Sequence, residues 1–257
     1  MPLRTSEAFI IDVIRLKEAD RLVILFTEDE GKVRGVAASA ARSRRRFGGK
    51  LERLSRVRAT WFDREGRDLA RLDTCDLLDA SFTLYADLRA AALLAYVAEM
   101  VNTFVREREP EPRYFRLVRS VIEAVRGGAD PESLARYFEI WTLRLHGLMP
   151  SLDACSECGS SLREGAFIQA QDAAETRCGK CRSARPGGDV VKLSADTLQT
   201  LERFRRLAPL EAARERAGSR ALREIEDLAG AVLASFVGQP FRSTRFLKEA
   251  LRQVPGA

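Results

Sequence analysis

Cys155-Ser-Glu-Cys158 and Cys178-Gly-Lys-Cys181 are two C-x-x-C pairs, nineteen residues apart, in a chain with one other cysteine, Cys75. The spacing is that of a four-thiolate zinc site. Two cysteines three apart on a tight turn present both sulfurs to one metal, and a second such turn completes a tetrahedron. Gly159 follows the first pair and Gly179 lies inside the second, where sharp turns need residues tolerant of positive φ. Zinc held by four sulfurs keeps no vacant position for water or substrate, so the one Zn2+ ion expected here is structural. The competing chemistry is a pair of disulfides, which needs an oxidising compartment. Residues 1–8 (MPLRTSEA) lack the apolar core of a signal peptide, and no apolar run approaches a bilayer span. A cytoplasmic location and reduced thiols are therefore expected.

His146 is the only histidine, which removes the His-containing catalytic zinc sites and most acid–base mechanisms built on imidazole. It lies at the end of a helical stretch, Trp141 to Gly147, where capping or packing is the expected role. A zinc deaminase would need a His or third Cys with a nearby Glu, ahead of Pro-Cys-x-x-Cys. Neither cysteine pair follows a proline, and no P-loop is present. No catalytic residue is assigned, and a non-enzymatic role is expected.

The net charge is +6 over 257 residues, but its distribution is uneven. Lys32, Arg34, Arg42, Arg44, Arg45, Arg46, Lys50, Arg53, Arg56 and Arg58 face a single acid, Glu52, within 27 residues. Such a run is an electrostatic footprint for polyanions. Phe47 sits inside it and is a candidate stacking platform for a nucleic-acid base. Trp61 and Phe62 are weaker candidates, with barrel core the competing role for Trp61. The DNA-contact set read from this region is Lys32, Arg34, Arg42, Arg44, Arg45, Arg46, Phe47, Lys50, Arg56 and Arg58.

These residues need a scaffold, and the apolar pattern predicts one of the α+β class. Phe9–Ile14, Leu22–Phe26, Val33–Ala41, Arg56–Phe62 and Leu69–Leu72 read as short strands, the fourth with Val57, Ala59 and Trp61 on one face. Five strands with turn signals between them, including one at residues 64–67, suggest a small barrel over residues 1–80. Arg42 to Lys50, with its Gly48-Gly49 pair, reads as a loop. From Ser81 the period becomes helical, giving an α-helical domain over 81–257 with a zinc-binding insertion at 151–190. Asp130 and Pro131 open one helix, and Ser194 and Ser219 are expected to cap two later ones. The insertion is too short for a core of its own, so the metal must take the core's place.

Glu18-Ala-Asp-Arg-Leu-Val23, Leu25-Phe-Thr27, Gly31-Lys32 and the Val36–Lys50 stretch resemble the opening of the bacterial RecO recombination mediators. Gly147 and Pro150 ahead of Asp153-Ala-Cys155, the paired cysteines, and Arg242-Ser243 with Phe246-Leu247 extend that resemblance along nearly the whole chain. One departure is Ala38-Ser39, where the family pattern has a Lys-Gly-like pair. The resemblance implies an N-terminal OB-fold, a helical domain with a zinc element, and DNA repair by recombination. It implies binding to single- and double-stranded DNA, ATP-independent annealing of complementary strands, and pairing with RecR. It further implies contact with the C-terminal tail of single-stranded DNA-binding protein and, indirectly, help for RecA in loading onto coated strands, in a nucleoid-associated setting with no membrane. Some relatives lack the cysteines, which links zinc to stability. A zinc-ribbon RNA-binding protein is the alternative the residues leave open.

Overall fold

A computed structural model of the chain describes residues 3–43, 45–63, 68–169, 172–184, 190–215 and 217–252. The predicted turn at 64–67 and Arg44 lie outside the described residues. Two compact units emerge, Met1–Arg116 with Phe241–Ala257, and Leu117–Pro240.

The first unit is built on five strands: β1 (Leu3–Arg15), β2 (Arg21–Thr27), β3 (Gly31–Ala37), β4 (Arg56–Phe62) and β5 (Ala70–Asp79). They close into a barrel in the order β1-β2-β3-β5-β4, with β4 returning to β1. All neighbours are antiparallel except β3 and β5, which pair in parallel over Gly35–Ala37 and Ala70–Leu72. This is OB topology, a Greek-key barrel whose closure removes exposed strand edges. Strand alternation works as expected in β4, where Val57, Ala59 and Trp61 are fully buried with Ile10, Leu25 and Leu72. Trp61 is thus core. β3 stops at Ala37 rather than Ala41, because the chain turns at Ser39, whose φ is +56°.

Two positive-φ positions in this barrel behave oppositely. At Gly31 (φ +64°) an added Cβ would lie 1.9 Å from the Glu109 carbonyl oxygen, so the segment after the first helix can approach only a glycine. The next residue, Lys32, donates from Nζ to the Asn102 carbonyl and from its backbone N–H to the Arg106 carbonyl. Gly31-Lys32 therefore joins the barrel to the following helix. Ser39 occupies the left-handed region without being glycine, at the second position of the departing Ala38-Ser39 pair. Ser39→Gly is expected to stabilise the protein by about 0.5–1 kcal/mol, since relief of Cβ strain outweighs the added freedom of the unfolded chain. Urea unfolding of the two proteins checks this.

Helix α1 (Leu88–Phe104) begins at Asp87, whose side chain accepts from the Ala90 N–H, and α2 (Pro112–Arg126) follows. Phe115 on α2 packs its ring 4.9 Å from that of Phe9 and 5.3 Å from that of Phe26, closing one side of the barrel wall. The last helix, α8 (Arg242–Arg252), returns to this unit. Glu99 on α1 accepts from the backbone N–H groups of Arg242 (2.9 Å) and Ser243 (2.8 Å), so an α1 carboxylate caps the first turn of α8. The Arg242-Ser243 signature marks this junction.

The second unit holds α2 from Leu117 onward, α3 (Pro131–Leu145), a three-stranded sheet and, among the described residues, four further helices. Asp130 caps α3 as expected, its side chain accepting from Ser133 N–H at 2.9 Å. The sheet comprises β6 (Gly165–Gln169), β7 (Asp172–Arg177) and β8 (Val190–Ser194), ordered β7-β6-β8 and antiparallel throughout. The short helix α4 (Gly179–Ala184) follows β7; α5 (Ala195–Arg206), α6 (Pro209–Arg214) and α7 (Ser219–Val237) complete the unit. The sheet leaves no clear mark in the sequence, because strands of five or six residues carry too little pattern to separate from loop.

Ser194 and Ser219 do not cap with their side chains. Gly218 is the residue before α7, and Ser219 lies inside its first turn. Ser194 instead joins Thr197 in donating to Glu224 on α7. The carboxylate accepts from Ser194 N–H (2.6 Å), Ser194 Oγ (2.8 Å), Thr197 Oγ1 (2.5 Å) and Arg220 Nε (2.8 Å). Burial pushes the Glu224 carboxyl up, but those four donors outweigh it and hold it down at about 2. With the folded pKa below the unfolded one, this stabilisation is present above about pH 4.5 and lost as pH falls towards 2. Glu224→Gln is expected to cost about 2–3 kcal/mol at pH 7 and to flatten the acid dependence in that window. Denaturant midpoints of both proteins across pH 2–7 test it, and parallel pH curves would count against the assignment.

Candidate metal centre and nucleic-acid interface

The two knuckles that carry the cysteines are built differently. Cys155 to Gly159 is a tight turn in which Gly159 (φ +71°) donates back to the Cys155 carbonyl at 2.9 Å. It is tied to the end of β7 by Ser156, whose N–H (2.8 Å) and Oγ (3.0 Å) both donate to the Thr176 carbonyl. The second pair straddles the start of α4: Cys178 precedes it, Cys181 lies within it, and Arg182 N–H donates to the Cys178 carbonyl. Gly179 accordingly opens a helix instead of occupying a left-handed turn.

The four sulfurs all lie within 4.8 Å of one another. Cys158 and Cys178 are 3.7 Å apart, close to the roughly 3.8 Å edge of a tetrahedron with about 2.3 Å metal–sulfur bonds. No disulfide joins the cysteines. Burial pushes the Cys155 thiol up, but backbone N–H groups of Cys158, Cys178 and Glu157 directed at its sulfur prevail and hold it at about 6. The Ser160 hydroxyl and N–H lower Cys158, whereas Cys181, hydrogen-bonded first to Cys158, is pushed up to about 12. Four crowded thiols thus share protons unequally, a conflict that a central cation removes by accepting four thiolates. The donor set therefore fits a metal ion bound on all sides by protein. Cys75 is separate: it is fully buried in the barrel, and burial raises its thiol to about 12, which makes it inert packing. His146 ends α3, with its Nδ1 2.8 Å from the Thr142 carbonyl, in the capping role expected of it.

The basic run is less uniform in space than in sequence. Carboxylates from distant segments meet most of it: Arg34 with Glu107 (2.7 Å), Arg42 with Glu18 (3.2 Å), Lys50 with Asp76 (3.5 Å), and Arg56 (2.9 Å) and Arg58 (3.8 Å) with Glu7. Lys32 is committed to Asn102, and burial lowers its ammonium pKa against the pull of Glu107. Arg46 organises the loop, donating to Ser43 Oγ and the Ala38 carbonyl with its guanidinium 5.1 Å from the Phe47 ring. Phe47 itself is 2 % exposed and packs in the barrel core, so it cannot serve as the stacking platform expected of it. The loop folds back because Phe47 N–H and Gly48 N–H both bond the Ser43 carbonyl, which turns the ring inward. Arg45 is exposed, and its side chain has no ion-pair partner among the described residues. Arg42 and Arg58 are the most exposed of the paired cations, 71 % and 58 %. Their surface pairs are worth at most about 1 kcal/mol and exchange readily for another anion. The acids that temper the run were not legible from it, since Glu7, Glu18, Asp76 and Glu107 are brought in by the barrel and the segment after α1.

Known proteins place this arrangement. The chain matches Recombination protein O N terminal over residues 1–81 and Recombination protein O C terminal over residues 85–245. The chain belongs to the RecO family. A DNA repair protein RecO from Anaeromyxobacter sp. strain K is 33 % identical over 240 residues, 93 % of this chain and 94 % of that protein. One from Geobacter metallireducens is 34 % identical over 244 residues, 95 % and 96 % respectively. One from Koribacter versatilis reaches 43 % over 166 residues, 65 % of this chain and 68 % of the relative. The OB barrel coincides with the RecO N-terminal segment, and the four-cysteine centre lies within the C-terminal one. Among the described residues, no helix is long and apolar enough to cross a membrane.

Proposed function

We propose that this RecO family chain is a non-enzymatic recombination mediator of DNA repair, active in the cytoplasm at the nucleoid. It binds single- and double-stranded DNA, anneals complementary strands without ATP and, with RecR, assists RecA loading onto strands coated by single-stranded DNA-binding protein. The observation that carries the reading is the closed OB barrel with exposed Arg42 and Arg45 on one loop. Such a surface tracks a phosphate backbone, releases counterions and leaves base edges free to pair. Annealing then needs no catalytic group, because lowering strand repulsion suffices.

The four-cysteine centre takes one Zn2+ as a structural ion, by its all-sulfur donors and its tetrahedral edge. For the acidic tail of single-stranded DNA-binding protein, the second unit offers a cavity of about 710 Å³. Arg144, Arg163, Arg205 and Arg206 line it together with Leu198 and Leu201, and the acids there are Asp153 and Glu202, the latter paired with Arg205 and Arg206. A carboxylate-bearing, partly apolar peptide would meet Arg144 and Arg163 and displace the exposed Glu202 pairs. The test is binding of single-stranded DNA and of matched RNA at rising salt, followed by annealing of complementary DNA without nucleotide. Salt-sensitive DNA binding with annealing supports the mediator; binding to RNA alone supports the zinc-ribbon RNA-binding alternative.

A further inference from the structure

The outer face of the three-stranded sheet beside the cysteines has a composition that a purely structural knuckle does not need. Ala166 and Ile168 on β6 are buried, so Gly165, Phe167 and Gln169 form the opposite, half-exposed face. Phe167 stands in register with Arg177 on β7 and with Lys192 on β8, and residues directly opposite in antiparallel strands share a face. An aromatic ring thus lies between two cations in one row across the sheet. Arg177 is engaged by Glu175 (2.6 Å) and Glu157 (3.6 Å). Lys192 is exposed, its Nζ 5.9 Å from the Phe167 ring centre, and neither it nor exposed Lys180 has an ion-pair partner among the described residues. Phe167 and Lys192, but not Arg177, line a groove of about 610 Å³, walled by Ser160 beside the first knuckle, Lys180 from α4 and Arg220 from α7. The acids at its edge are Glu164 and, holding Arg220, Glu224.

We propose that this groove is a second single-stranded nucleic-acid subsite, in which one base stacks on Phe167 while Lys180 and Lys192 take the flanking phosphates. It rests on the reading of the chain as a single-strand-binding mediator and adds a contact outside the barrel. Aromatic rings with adjacent cations bind single strands with little sequence preference, because every base offers a face and every linkage a charge. A duplex keeps its bases stacked and cannot use the ring. The competing role for the lysines is as counter-ions: four thiolates around a divalent metal leave a net charge of about −2 beside them.

The experiment uses the intact, metal-loaded protein, with fluorescence anisotropy on a labelled oligothymidylate and on a hairpin duplex. Phe167→Leu is expected to weaken oligothymidylate binding on the order of tenfold while leaving duplex binding, metal content and melting temperature unchanged. Lys180→Gln with Lys192→Gln is expected to lower the log–log salt slope by about 1.4 on the single strand. Unchanged oligothymidylate affinity in Phe167→Leu, or an equal loss on duplex, overturns the proposal. So does a lysine variant that loses metal but keeps its slope, the mark of counter-ions. Arg45→Gln run in parallel separates the two readings: if it weakens binding and Phe167→Leu does not, the barrel assignment stands and this one falls. Should Phe167→Leu fail to fold, ultraviolet cross-linking of the unmodified protein to 5-iododeoxyuridine-containing single strands decides. An adduct at Phe167 supports the subsite, and adducts confined to residues 3–79 refute it.

Discussion

Stripping the metal from the four-cysteine centre is expected to lower the melting temperature of the unit that carries it by more than about 10 °C, while the barrel keeps its fold. The first knuckle is mostly exposed, and among the described residues the sheet beside it buries the apolar side chains of Ala166, Ile168 and Leu193 with Thr176. So small an apolar cluster cannot offset the ordering cost of forty residues. Comparable structural sites draw on the order of 10 kcal/mol from the ion. The barrel has its own buried core and shares none of these ligands. Calorimetry with and without a chelator, and on Cys178→Ser, should therefore show one transition moving down and another holding. DNA binding should fall less than stability does. A chelated protein that melts like the loaded one would remove the metal from the architecture.

The second large effect is expected at the barrel loop. Replacing Arg42 and Arg45 together by glutamine should weaken single-strand binding roughly tenfold at moderate salt and reduce the log–log salt slope by about 1.4. Arg45 is exposed, and Arg42 gives up only a weak surface pair with Glu18. Neither side chain holds the loop in shape. Arg46 is a different case: Ser43, the Ala38 carbonyl and the Phe47 ring all depend on it, and its own carbonyl accepts from Cys75 N–H. An Arg46→Ala protein would confuse lost contact with a collapsed loop. The conservative pair avoids that, and equal slopes for wild type and the double variant would take the interface away from this loop.

Much of this was legible in the residues themselves. The spacing of Cys155, Cys158, Cys178 and Cys181 predicted sulfurs that the fold gathers within 4.8 Å. The alternation of Val57, Ala59 and Trp61 placed them inside the barrel, and Asp130 ahead of Pro131 marked the start of α3. These signals are local, set by a few adjacent side chains and the period of one element. What escaped depends on pairing across the chain. Glu107 reaches Arg34 across 73 residues, and no window on the basic run contains it. Phe47 looked exposed because its neighbours are charged, yet two hydrogen bonds to Ser43 turn it into the core. Ser194 resembles a cap until Glu224, thirty residues on, claims its hydroxyl. Phe167 reads as one more apolar residue until register sets Lys192 beside it.

The central claim is that strand annealing depends on the arginines of the barrel loop, while the metal at the cysteine centre holds its unit in shape. Its most direct test is the rate of nucleotide-free annealing of complementary strands by the Arg42→Gln, Arg45→Gln protein, at a temperature where its circular dichroism is native. The account predicts a rate at least about tenfold below wild type with metal content intact. A wild-type rate from that protein would contradict it.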